Sequence, residues 1–249
     1  MEMRDFEEKQ MERWDNTSGS YYSDRGLAMS AAFPALMRKV YTWMTLALAI
    51  TAITAYGVAS SPALLGLIYS SKFIFFGLII AELALVIYVS ARINRLSLTT
   101  ATMLFILYSV INGATMASIF AVYSMSVIGQ TFLVTAGTFG AMAVYGYFTK
   151  KDLTSWGRLL LMALIGLIIA GIVNLFLHNS TMDLIVSGIG VLVFVGLTAY
   201  DSQKIKNMLL MQEDMGETAQ KVALMGALSL YLDFINLFLY LLRFMGRQR

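Results

Sequence analysis

From Val40 onward the sequence is built of apolar runs of about 17–23 residues separated by short polar breaks, and about 20 such residues make a helix long enough to cross a bilayer. Seven such runs occur, at roughly 40–60, 73–90, 100–122, 127–148, 159–177, 184–203 and 222–242. The expected fold is therefore an all-α membrane protein of seven transmembrane helices, with residues 33–249 forming one transmembrane domain. Composition agrees: 58% of residues are hydrophobic and 13% charged, against roughly 45–50% and about 25% in soluble domains. No soluble domain, Gly/Ser linker or repeat of fixed period separates the runs. Pro34 and Pro62, the only prolines, fall outside them, so helix breaks are expected at glycine.

The net charge of +3 is divided unevenly along the chain. Residues 1–32 carry seven acids and four bases around the polar stretch DNTSGSYYSD, which reads as a disordered cytoplasmic tail. That tail has no apolar run able to act as a signal-peptide core, so the first hydrophobic segment is expected to direct insertion itself. Basic charge split in this way, beside membrane spans, does not indicate a nucleic-acid partner. Lys and Arg mark the cytoplasmic side of spans, and ten of them share one side: Arg38, Lys39, Arg92, Arg95, Lys150, Lys151, Arg158, Lys204, Lys206 and Lys221. The other side holds Lys72 until Arg243, Arg247 and Arg249 at the C-terminus. The N-terminus is thus expected in the cytoplasm, and the last segment either crosses fully, the preferred reading, or turns back.

The absence of cysteine and the single histidine exclude disulfides, thiol nucleophiles and multi-histidine metal sites. No GxSxG, HExxH, Walker-type or GxGxxG fingerprint supports an enzyme, and no cofactor is implied. His178, beside Asn179 at a span end, reads as a solvated loop residue, and Trp43 and Trp156 as interfacial anchors.

What chemistry there is lies in three carboxylates within the runs, since an ionised group at mid-bilayer costs roughly 2.5–3.5 kcal/mol and needs a partner, water or a neutral form. Asp233 sits near the middle of the last run, on a polar stripe with Gly226, Ser229, Asn236 and Tyr240 at helical spacing. A lipid-facing stripe of that kind is unfavourable, so the last helix is expected at the centre of the bundle. Asp201 falls at the end of the sixth run, where headgroup water or Lys204 and Lys206 offer an alternative, purely structural role. Counted at about 1.5 Å per residue, Asp233 is about 18 Å from Lys221 and Asp201 about 8 Å from Lys206, so their contact requires tilt, a shifted boundary or a water-filled vestibule. Close together in low dielectric the two cannot both ionise comfortably, and such a pair is a pH sensor that needs no histidine. Glu82 stands mid-run in IIAELALVIYV, either protonated or hydrogen-bonded across helices, and Arg92 and Arg95 follow it as cytoplasmic anchors or as donors to a carboxylate in the bundle. Tyr108, Asn112 and Thr115, and Thr131, Thr135, Thr138 and Tyr145, form further polar stripes that read as helix contacts.

The segments TAYDSQKIK around Asp201 and ALSLYLDFINLFLYLLRFMG around Asp233, with TKKDLTSWG and SARINRLS in the loops, resemble the Bax inhibitor-1 family of membrane proteins, over about residues 33 to 246. The resemblance implies a last helix surrounded by six others and a pH-dependent calcium leak governed by paired aspartates, here Asp201 and Asp233. It also implies an arginine on the second helix that bonds to the pair and closes the pore, Arg92 by the better match and Arg95 as the alternative. Calcium prefers roughly six to eight oxygen ligands, more than these acids supply, so it is expected as a permeant ion and no metal site is assigned. The partners implied are the bilayer, calcium and protons. Some bacterial relatives the chain resembles regulate membrane proteases, which gives the alternative of a non-transporting regulator with a membrane protein partner; a proton-coupled carrier is a third reading. A bacterial inner membrane is the expected location.

Overall fold

The computed structural model describes residues 32–212 and 214–246. The polar tail expected at 1–32 lies outside the described residues except for Ala32, which opens the first helix, and Arg247 and Arg249 lie outside them as well. Among the described residues the chain forms helices and no strand. They are α1 (Ala32–Ala59), α2 (Pro62–Tyr69), α3 (Lys72–Arg92), α4 (Leu98–Met116), α5 (Ile119–Val122), α6 (Met125–Phe148), α7 (Thr154–Leu177), α8 (Ser180–Leu210) and α9 (Glu217–Gly246). Seven segments are long and apolar enough to cross a membrane, α4 and α5 counting together as Leu98–Val122, and each overlaps one of the seven runs in the sequence.

Local chemistry sets the ends. Ser97, Ser124 and Asn179 precede α4, α6 and α8, and each accepts from a backbone N–H of the first turn, supplying one of the partners that a helix start lacks. His178 ends α7 in the left-handed conformation, at φ 50°, and its N–H bonds back to the Asn174 carbonyl.

Two expectations about helix breaks are corrected. Pro34 lies inside the first turn of α1 and not before it, a position where its missing N–H has no intrahelical partner to lose. The break between α4 and α5 falls at Ala117–Ser118, not at a glycine. Its cause is the Tyr69 side chain from the end of α2: the hydroxyl lies 3.0 Å and 2.8 Å from the carbonyls of Ala114 and Thr115, and accepts from the Ser118 N–H at 2.9 Å. A side chain inserted into the backbone ladder is a sufficient cause for a kink.

The last helix is the hub. Two-thirds (67%) of the α9 membrane window is buried, against 6% for α3 and for α7, so α9 is enclosed while those two run along the outside. Lipid removes most of the hydrophobic drive between helices, and close backbone approach takes over. At Gly113 an added Cβ would lie 2.6 Å from the Thr51 carbonyl oxygen, so α4 packs backbone to backbone on α1. Gly146 on α6 meets the Ala199 backbone of α8 in the same way.

The base-rich end is tied together by side chains. Lys39 donates to Gln220 at 2.9 Å, Glu217 accepts from the Leu98 N–H at 3.0 Å, and Gln203 bridges the Leu153 N–H and the Lys151 carbonyl. Since α9 starts beside Leu98 and runs unbroken to Arg243 beside Asp183, at the start of α8, it passes from one end of the bundle to the other. Its geometry is that of the crossing reading.

Candidate functional site

Two close contacts set the register of antiparallel α8 and α9. A side chain at Gly190 would strike the Tyr240 ring, and one at Gly226 would meet Ile205. Between these points Asp233 faces α8 near Leu197 and Thr198, which leaves it about one turn, roughly 5 Å along the axis, from Asp201. Counting inward from the lysines made the separation larger because Lys206 and Lys221 are not level: α8 continues to Leu210, and it is Leu209 and Leu210 that lie across from Lys221.

Asp233 is buried, at 5% exposure, and its Oδ2 has no hydrogen-bond partner. Its carboxyl lies within electrostatic reach of Asp201 and of the Lys204 ammonium. Asp201 is half-buried and Lys204 exposed, so access to water is graded from the base-rich end inward. Lys204 stands one turn beyond Asp201, the spacing that makes helix neighbours, and its ammonium lies 5.8 Å from the centroid of the Tyr200 ring. Lys206 is engaged elsewhere, donating to the Tyr147 carbonyl at 2.8 Å with its ammonium 5.1 Å from the centroid of that residue's ring.

Arg92 ends α3 and Arg95 follows in the turn; both are exposed, and neither forms an ion pair with Asp201 or Asp233. Lys204 is within electrostatic reach of the two aspartates, but among the described residues it too forms no ion pair with either. Ser229 is half-buried on α9, and Asn236 spends its amide on the Leu232 carbonyl of its own helix. Among the described residues no group of three or more His, Asp or Glu side chains is close enough to hold a metal ion.

Glu82 lies in a second polar cluster, on the other side of α9. It accepts from Thr115 at 2.6 Å and from Asn112 at 3.3 Å. Asn112 in turn accepts from the Tyr231 hydroxyl at 3.0 Å, which meets Thr51 at 2.7 Å, and Thr51 lies 3.0 Å from the Ser109 carbonyl. This is the cross-helix arrangement open to Glu82 from its sequence. Thr51 and Tyr231 carry no mark in the sequence, because hydroxyls in apolar runs are common and only the packing shows which of them meet.

Comparison with known proteins bears on this arrangement at the level of the family. A family described as "Inhibitor of apoptosis-promoting Bax1" matches residues 34–249. The chain belongs to the Bax inhibitor-1 family. This member is 50% identical over 229 residues to the inner membrane protein YbhL of Escherichia coli strain K12, with 91% of the chain and 97% of the relative covered. Uncharacterised proteins of Borreliella burgdorferi and Rickettsia prowazekii are 45% and 43% identical, each over 86% of the chain and over 92% and 89% of the relative. The family match takes in α8 and α9 entire, and with them Asp201, Lys204 and Asp233.

Proposed function

We propose that this Bax inhibitor-1 family member is a pH-sensitive calcium leak channel of a bacterial inner membrane, gated by the Asp201–Asp233 pair. The observation that carries the reading is Asp233 itself, a carboxyl buried mid-helix with one oxygen unpartnered and a second carboxyl a turn away. A buried polar atom without a partner is costly, and the charge shared over that atom is what a proton removes. The inner-membrane placement rests on the name of the E. coli relative.

The steps follow from charge. With the pair deprotonated, its negative charge attracts a cation, with Lys204 within electrostatic reach, and α8 stays closed on α9. Protonation removes the charge that holds the cation, and the contact between the two helices loosens. Arg92 and Arg95, exposed at the base-rich end, are the further cations that a movement of α3 would bring to the pair. Two carboxylates fall short of the roughly six to eight oxygens that calcium prefers, which suits passage better than storage.

The test is calcium flux into liposomes holding only the purified protein. Flux is expected to change with pH, Asp201→Asn and Asp233→Asn to abolish that change, and Lys204→Gln to shift the pH at which it occurs. Unchanged pH dependence in both aspartate variants, each shown to elute as a monodisperse species, would sink the assignment. No flux from the unaltered protein, together with co-purification of a membrane protein, would favour the non-transporting regulator instead. Flux that requires a proton gradient would favour the carrier.

A further inference from the structure

At the end of the bundle opposite the ten bases, a cavity of about 680 Å³ opens between α7, α8 and α9. Its two halves differ in chemistry. One is apolar and runs along α7 past Leu167, Gly171 and Leu175; the other is polar and holds Asn174, Asp183 and Arg243. We propose that this cavity seats one membrane phospholipid, with its phosphodiester on Arg243 and an acyl chain in the α7 groove.

Three observations carry this. First, Arg243 is held loosely: one guanidinium nitrogen lies 3.6 Å from Asp183, beyond the roughly 2.7–2.9 Å of a charge-assisted hydrogen bond. The guanidinium centre is 5.8 Å from the centroid of the Tyr240 ring, so its fork of N–H donors is positioned and available to a phosphate. Second, the groove has the right depth. From Leu167 to Leu175 α7 rises about 12 Å at 1.5 Å per residue, close to the roughly 15 Å that one leaflet contributes to a 30 Å core. Third, the groove is open by construction, since a side chain at Gly171 would meet nothing within 4 Å. Only 6% of the α7 membrane window is buried, so most of that helix is left facing out of the bundle. A soluble anion would satisfy Arg243 and leave the apolar half bare, whereas a phospholipid fits both halves. The site stands whether or not the aspartate pair gates a channel.

Lipid retained by the full-length protein can be counted by native mass spectrometry after incubation with palmitoyl-oleoyl phosphatidylethanolamine. The unaltered protein is expected to hold one molecule. Arg243→Gln removes the phosphate contact and Gly171→Leu fills the groove without touching the charges. Each is expected to lower retention about tenfold, the loss of one charged hydrogen bond or of a comparable apolar contact. Glycerophosphoethanolamine and inorganic phosphate, which lack chains, are expected not to displace the lipid. Retention equal to that of the unaltered protein in either folded variant overturns the proposal. So does displacement by inorganic phosphate, which would make Arg243 a soluble-anion site.

Discussion

At the scale of single residues, α9 separates two kinds of polar group. Tyr231 and Asp233 are two positions apart, about 200° around the helix, so they look to opposite sides: Tyr231 to Thr51 and Asn112, Asp233 to α8. Tyr231 is fully buried, with the Phe105 and Tyr108 rings edge-on at 5.8 Å and 5.7 Å. Its ring fills the core and its hydroxyl joins α9 to α1 and α4. Tyr231→Phe keeps the ring and leaves the Asn112 carbonyl oxygen without its donor. It is expected to lower stability by about 1–2 kcal/mol, the range for one buried hydrogen bond with an orphaned partner. Unfolding in detergent measures that loss, and flux measures whether pH dependence survives, as it should. A Tyr231→Phe protein that loses its pH response would contradict the separation. Asp233 could be singled out in the sequence because a charge in an apolar run is conspicuous. Tyr231 could not, since it is one of 13 tyrosines and nothing local distinguishes it.

At the scale of elements, hydropathy located all seven crossing segments because bilayer thickness fixes their length. It could not show what depends on a distant side chain: the Tyr69 hydroxyl that parts α4 from α5, or the register that brings Asp201 to Asp233. The α6–α7 turn is held by the same kind of contact. Gln203, on α8 one turn's face from Tyr200, accepts from the Leu153 N–H at 2.9 Å and donates to the Lys151 carbonyl at 2.8 Å, so that it fastens the turn to the helix that carries Asp201. Beside it, hydrogen bonds from Thr154, from its side chain first and then from its backbone N–H at 2.9 Å, hold the Asp152 carboxyl below the usual carboxylate range. An acid lowered in the folded state contributes stability above its ordinary pKa and loses it as pH falls through the lowered value. Hydrogen exchange across this turn separates the two devices. Gln203→Leu is expected to speed exchange at Leu153 about tenfold or more, the effect of losing one buried hydrogen bond, at every pH. Protection of the Thr154 amide is expected to hold at neutral pH and decline only in acid. Equal exchange at Leu153 with and without Gln203 would show that the turn is held by something else.

At the scale of the whole molecule, the fold turns a one-dimensional count of charges into two ends. The contacts Lys39 to Gln220, Leu98 to Glu217 and Lys206 to Tyr147 gather the start of α1, α4 and α9 and the end of α6 and α8 at one end. Nothing in the sequence requires those loops to meet; it requires only that alternate loops share a side. Ten of the fourteen bases after residue 32 belong to that end, and the positive-inside bias gives the expectation that it is the cytoplasmic one. The three C-terminal arginines run against the bias, but α9 passes unbroken from Glu217 to Gly246, about 45 Å at 1.5 Å per residue, and leaves no room for a re-entrant turn. The chain itself supplies the means of testing this, because it contains no cysteine and any cysteine introduced is unique. In intact cells Asn179→Cys, between α7 and α8, is expected to react with a membrane-impermeant maleimide, and Lys150→Cys, between α6 and α7, only after lysis. Labelling of Lys150→Cys from outside would invert the molecule and put the graded path to Asp233 on the external face, where external rather than cytoplasmic acid would act on the pair.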